Sequence, residues 1–124
     1  MILIDIHGQL AQKRRLSEYA DNVMEHLMPN YQGDTVIDVY VKNHLSYQAA
    51  GYCHGDDYAV TIELAKNSCG EPYALEELAL TLGHELVHAR QNIEHCCDSE
   101  PDHEQREREA YSMEQKLFEK FWCY

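Results

Sequence analysis

The chain has no long hydrophobic run, few basic residues and no paired-cysteine motif, and each absence removes a class of protein. No stretch nears the roughly 18 to 20 consecutive apolar residues that a membrane-spanning helix needs. No membrane partner is expected. The opening residues, MILIDIHGQL, are apolar at five of the first six positions, but no basic residue precedes them and Asp5 interrupts them. A secretory signal has a positive start and a longer apolar core, so the expected compartment is the cytoplasm. Lysine and arginine number 10 against 22 acidic residues, and 10 minus 22 gives a net charge of -12. Such a surface repels phosphate backbones. The only basic run, Lys13-Arg14-Arg15, suits a solvated helix face, so no nucleic-acid partner is expected. Acidity also admits imitation of nucleic acid towards a DNA-binding protein, but many soluble domains are acidic and charge alone does not single that role out.

Five cysteines, Cys53, Cys69, Cys96, Cys97 and Cys123, form no Cys-x-x-Cys pair. An odd number without an even framework argues against a secreted disulfide scaffold. Cys96 and Cys97, flanked by His95 and Asp98, invite a metal reading, but neighbouring residues rarely converge on one ion.

What remains is a chain of 124 residues, enough for one domain and one core over positions 1–124. No internal repeat or low-complexity linker appears. Residues 9–28 read as a helix, with Leu16, Tyr19, Ala20, Val23 and Leu27 as its apolar stripe. Pro29 stops it, and residues 29–34 form a turn. TVIDVYVK (35–42) alternates as a strand with Ile37, Val39 and Val41 on one face. HGDD (54–57) reads as a tight turn. YAVTIEL (58–64) follows as a second strand, antiparallel to an earlier one. Residues 67–72 form a loop. The period then becomes helical from Tyr73 to about Ile93, through Leu75, Leu78, Leu82, Leu86, Ala89 and Ile93. Asp102-x-x-Gln105 has the form of a capping box for a last helix, His103 to about Phe121, that packs through Ala110, Met113, Leu117, Phe118 and Phe121. The expected fold class is α+β: an N-terminal helix, a small antiparallel sheet and two further helices.

The central helix carries the chemistry, in GHELVHARQ (83–91). Residues four apart on a helix differ by about 40°, so His84 and His88 project side by side. Two neutral imidazoles so placed fill adjacent corners of a tetrahedral zinc. Glu85 is rotated by about 100° from His84 and can stand beside the metal as general base for an activated water. With 8 histidines in the chain, His-Glu-x-x-His can arise by chance. Its surroundings argue otherwise: Leu82, Leu86 and Val87 make the helix apolar, and polar groups there are costly without partners.

The third ligand has several candidates. Gln91 stands where a metzincin-like site would need glycine. Glu94 then lies about 240° around the helix from His88 and points away. His95 and the adjacent cysteines are too close in sequence to fold back easily. His103 and Glu104 open the last helix and are candidates. Glu107 is best placed, because a turn lets the chain reverse before it and the small Ala110 permits close approach. Tyr111 lies one turn beyond Glu107 on the same face, where its hydroxyl can support a substrate carbonyl. The remaining histidines, His7, His26, His44 and His54, read as surface or packing residues, with His54 reaching the cleft only if its hairpin folds over it.

His84-Glu85-x-x-His88 followed by Glu107-x-x-Ala110 resembles the gluzincin pattern of zinc metallopeptidases. The order of elements resembles the small minigluzincins and related phage or bacterial metallopeptidase domains, best over residues 58–118. The resemblance implies a zincin-like fold, Zn2+ held by His84, His88 and Glu107, Glu85 as catalytic base, and a peptide or protein substrate. It also implies an extended substrate laid along an edge strand, which would be YAVTIEL. The short linker between His88 and Glu107 leaves little room for the further subdomain of larger gluzincins. Two rival readings follow from the residues. An acidic interaction protein could use the zinc only to join two helices, and the tail KLFEKFWCY could cover the cleft of a latent enzyme, although its helical spacing suits the core.

Overall fold

The computed structural model describes residues 1–45, 49–68, 71–94 and 103–122. Its first element is a strand, β1 (Ile2–His7), where the sequence reading placed no element. Helix α1 (Lys13–Leu27) starts four residues later than the stripe suggested. Strands β2 (Thr35–Lys42), β3 (Gly51–Gly55) and β4 (Ala59–Ala65) follow, then a short hairpin of β5 (Asn67–Ser68) and β6 (Glu71–Pro72) in place of the expected loop. Helices α2 (Leu75–Glu94) and α3 (His103–Phe121) complete the chain. The expected cap residue Asp102 and the Cys96-Cys97 segment lie outside the described residues, as do Cys69 and Cys123.

The main sheet has the order β1-β2-β4-β3. It is mixed rather than antiparallel: β2 is parallel to both β1 and β4, and only β3 runs antiparallel to β4. The reason is the apolar start of the chain. Ile2, Ile4 and Ile6 alternate with more exposed residues, and α1 is a helical crossover long enough to bring β2 back parallel to β1. The order also makes β4 an interior strand. The edge strands are therefore β1 and β3, not YAVTIEL as the resemblance implied. The β3–β4 turn forms where HGDD suggested it: Gly55 adopts φ 138, and Asp56 Oδ1 accepts hydrogen bonds from the amides of Tyr58 (2.9 Å) and Ala59 (3.0 Å). Those two amides hold the Asp56 carboxyl below its ordinary range.

One face of the sheet is apolar, with Ile37, Val39, Val60, Ile62 and Leu64 fully or almost fully buried. The helices pack there. Tyr19 of α1 lies against Gly83 of α2, where an added Cβ would come within 2.9 Å of the tyrosine hydroxyl oxygen. That missing side chain lets α1 sit close to the turn that carries His84. The end of α3 closes the core from the other side. Trp122 is 5% exposed, meets the Tyr19 ring edge-on at 5.5 Å, and has the Arg15 guanidinium 4.0 Å above its ring. Through Trp122 the tail is core, as its spacing predicted. Among the described residues no helix is long and apolar enough to cross a membrane.

Truncating a buried aromatic of this kind costs about 3–5 kcal/mol. Trp122→Ala should lower stability on that scale in urea denaturation, and a change below about 1 kcal/mol would show that the tail is not part of the core.

Candidate metal centre

Helix α2 supplies two imidazoles from one buried face. His84 is 9% exposed and Glu85 6%. The His84 and His88 rings lie 4.9 Å apart between centroids. Helix α3 brings Glu107 against them: Oε1 lies 2.7 Å from His88 Nε2 and Oε2 3.4 Å from His84 Nε2. One ligand atom from each of the three residues falls within 4.8 Å of the other two. The structure thus joins the three residues singled out in the sequence into one group able to hold a metal ion.

The second nitrogen of each ring decides what this group is suited to. His84 Nδ1 lies 3.1 Å from Glu114 Oε1, and His88 Nδ1 lies 2.8 Å from Gln91 Oε1. The orientation of the Gln91 amide is fixed because its nitrogen donates to the Arg106 carbonyl (3.1 Å) and to Glu109 Oε1 (2.9 Å). Both acceptors require the proton on Nδ1, which leaves a lone pair on each Nε2. His88 Nε2 is buried and makes no hydrogen bond despite its short distance to Glu107. Two imidazole lone pairs therefore converge on a carboxylate. That arrangement repels itself when empty and suits a cation. The donor set of two imidazoles and one carboxylate fits a divalent transition ion.

The other candidates are placed elsewhere. Glu94 pairs with Arg90 at 3.3 Å. Glu109 takes Arg90 Nη2 at 2.6 Å and the Gln91 amide at 2.9 Å, and does not join the group. Glu104 is exposed, 4.0 Å from Arg108. His103 lines the cleft but does not join the group. His7 bonds to Asp38, His26 meets the edge of Phe121, and His44 and His54 are exposed and do not line the cleft. Ala110 is fully buried, as the close approach of α3 requires.

The group opens into a cleft of about 550 Å³ between β3, α2 and α3. Glu85 stands beside the group without belonging to it. The backbone of β3 lies directly over it: a Cβ on Gly51 would sit 3.0 Å from Glu85 Oε2 and 2.7 Å from Thr81 Cγ2. Burial first, then the carboxylates of Glu107 and Glu114, push Glu85 up to about 8. Cys53, also lining the cleft, forms no disulfide, and burial together with the Glu85 charge pushes its thiol up, against a reactive thiolate. Tyr111 stands on the Glu107 side with its ring 4.6 Å from that of His84.

Sequence reasoning missed Gln91 and Glu114 as supports. Both had a positional signal. Gln91 is three residues after His88, within reach on one helix face. Glu114 is seven residues after Glu107, which is about two turns and so the same face. Neither a scan of protein-family models nor a search of curated proteins returned a match for the chain.

Two outcomes follow from this geometry. The protein should take up about one divalent ion per chain, measured by elemental analysis. Ala at His84, His88 or Glu107 should abolish or sharply weaken uptake, whereas Ala at Glu94, Glu104, Glu109 or His103 should weaken it far less. A dominant loss at Glu94 would place the site elsewhere.

In metal-free protein, Glu85 binds its proton more tightly when folded than when unfolded, so its contribution to stability is largest below its ordinary value of 4.5 and declines as pH rises towards about 8. Urea midpoints should therefore show a fall across that window that Glu85→Gln flattens. An identical pH profile in the variant would contradict the assignment.

Proposed function

We propose that the protein is a zinc-dependent peptidase of the minimal gluzincin type. The observation that carries this reading is the pair of Nε2 lone pairs aimed at Glu107, with a separate carboxylate, Glu85, buried beside them and facing an open cleft. His84, His88 and Glu107 would hold the ion. A zinc ion there supplies Lewis acidity, polarising a peptide carbonyl and bringing the pKa of a water towards neutrality. Glu85 takes a proton from the water as it attacks the carbonyl carbon, then passes that proton to the leaving amine as the C–N bond breaks. The positive charge of the ion offsets the repulsion from Glu107 and Glu114, which leaves Glu85 able to act as a base. An extended peptide would pair with the free edge of β3, whose Gly51, Tyr52 and Cys53 border the cleft. Gly51 lets that edge approach the base closely.

Two features favour the enzyme over a metal that merely joins helices. A structural zinc is usually closed by four protein ligands, and among the described residues the group has three. Glu85 is also buried beside the group and faces the cleft, a position costly for a carboxylate that served only to pack. As for a latent form, the tail through Trp122 packs in the core and does not line the cleft.

Glu85→Gln keeps the shape of the side chain and removes the base. It should leave zinc occupancy intact and lower cleavage of a mixed peptide library by about 100-fold or more. Chelator should abolish cleavage by the unmodified protein and zinc should restore it. Equal cleavage by the variant would remove Glu85 from the mechanism.

A further inference from the structure

The cleft contains a cation that nothing above uses. Arg106, in the first turn of α3, lines the cleft beside Glu107. Its backbone carbonyl holds Gln91, but its guanidinium has a separate and incomplete set of contacts. Nη1 donates to Asn92 Oδ1 across the cleft at 3.2 Å. Nε is buried and has no hydrogen-bond partner. Among the described residues no carboxylate lies within ion-pair distance of the group, in a chain where acidic residues outnumber basic ones by 22 to 10. Arg90 and Arg108, its neighbours in this interface, both have carboxylate partners.

An arginine carries five N–H donors in a planar fork, and a buried donor without an acceptor is costly. Nε, the donor left without an acceptor, belongs to the side of the fork that matches the two oxygens of a carboxylate. The first turn of α3 adds the positive end of a helix dipole to the same end of the cleft. At the other end stands Glu114. The cleft is therefore polarised along its length, and the net charge of the chain does not cancel this, because exposed charges farther than about 8–10 Å are screened at ordinary salt.

We propose that Arg106, steadied by Asn92, is a substrate-binding residue for a carboxylate, so that the preferred substrate is a peptide presenting an anionic group to the α3 end of the cleft. This rests on the peptidase reading. The carboxylate has two sources in a peptide, the free C-terminus or an Asp or Glu side chain, and both offer the same two oxygens. The inference assigns Arg106 to recognition and not to the bond-breaking steps.

The test separates recognition from hydrolysis by using zinc-loaded Glu85→Gln protein, which binds without turning over. Three probes are titrated by calorimetry into each protein, with the Arg106 Nε–H resonance followed as well in the parent: N-acetylglycylglycine, its C-terminal amide, and N-acetylaspartyl-glycine amide. Saturable shifts with one or both carboxylate probes, and at least tenfold weaker binding of the plain amide, are expected. The first probe alone would indicate C-terminal recognition, and the third a side-chain carboxylate. Adding Arg106→Met should remove the preference for carboxylate while zinc stoichiometry and circular dichroism stay the same. Arg106→Lys, which keeps the charge without the fork, should restore part of it. Equal binding of all three probes, no binding of any, or an undiminished preference in Arg106→Met would overturn the proposal. If Arg106→Met fails to fold, Arg106→Lys decides: because a carboxylate also ligates zinc, a preference undiminished in that variant would overturn the proposal and a reduced one would support it. Carboxylate preference without peptide cleavage by the unmodified protein would refute hydrolysis and leave the subsite standing, whereas cleavage with no preference would do the reverse.

Discussion

The packing of α3 against α2 is the contact on which the rest of the site depends. The three residues of the group that could hold an ion are divided between these helices, and neither helix alone brings them together. Ala110 allows the approach because it has no side chain beyond Cβ and is fully buried. Gln91 then couples spacing to chemistry. Its amide nitrogen is tied to two acceptors on α3, and its oxygen accepts a hydrogen bond from His88 Nδ1–H. The same residue that fixes the distance between the helices therefore fixes which nitrogen of His88 faces Glu107. Such outer contacts commonly set metal affinity as strongly as the geometry of the ligands themselves.

Electrostatics give this interface its direction. Glu85, Glu107 and Glu114 share a partly buried region, and the first of them is held up by burial and by the other two. In a chain already acidic overall, this concentration opposes folding unless a cation enters. An ion that binds the folded chain and not the unfolded one stabilises it by mass action, so metal binding and the helix–helix contact reinforce each other. The acidic cluster that weakens the empty protein is thus what makes the loaded one selective for a positive charge.

Much of this was legible in the sequence where one residue's position determines its neighbours. The His84–His88 spacing settles which side chains share a helix face, and Glu107 followed from the need for a second helix to turn back. Strand alternation identified β2 and β4. Strand partners were not legible. The chain from Ile2 to His7 is short and half apolar, and nothing local says that it will lie parallel to β2 across α1. Nor does anything local say that Gly51–Gly55 will pair on the outer side of β4, and it is that strand which moves β4 to the interior and gives the cleft a different edge. The supports Gln91 and Glu114 were hidden for a related reason. Periodicity places them on the correct faces, but a hydrogen bond to the far nitrogen of an imidazole depends on how two helices cross. The same holds for Arg106, which looks like an ordinary surface arginine until its side chain is seen to line the cleft with no ion-pair partner among the described residues.

The docking of the tail on α1 has a consequence for the order in which the molecule is made. Arg15 donates to the Trp122 carbonyl at 3.4 Å across 107 positions of chain. Contacts of such separation form late because the loop they close must be paid for in entropy before they contribute. During synthesis, β1 and α1 leave the ribosome long before the residues that fasten α3 to them. The wall of the cleft that carries Glu107 gains its anchor only once Trp122 has been made. A nascent chain accordingly displays the two histidines before Glu107 is fastened against them, and the complete three-residue group is a property of the packed helices.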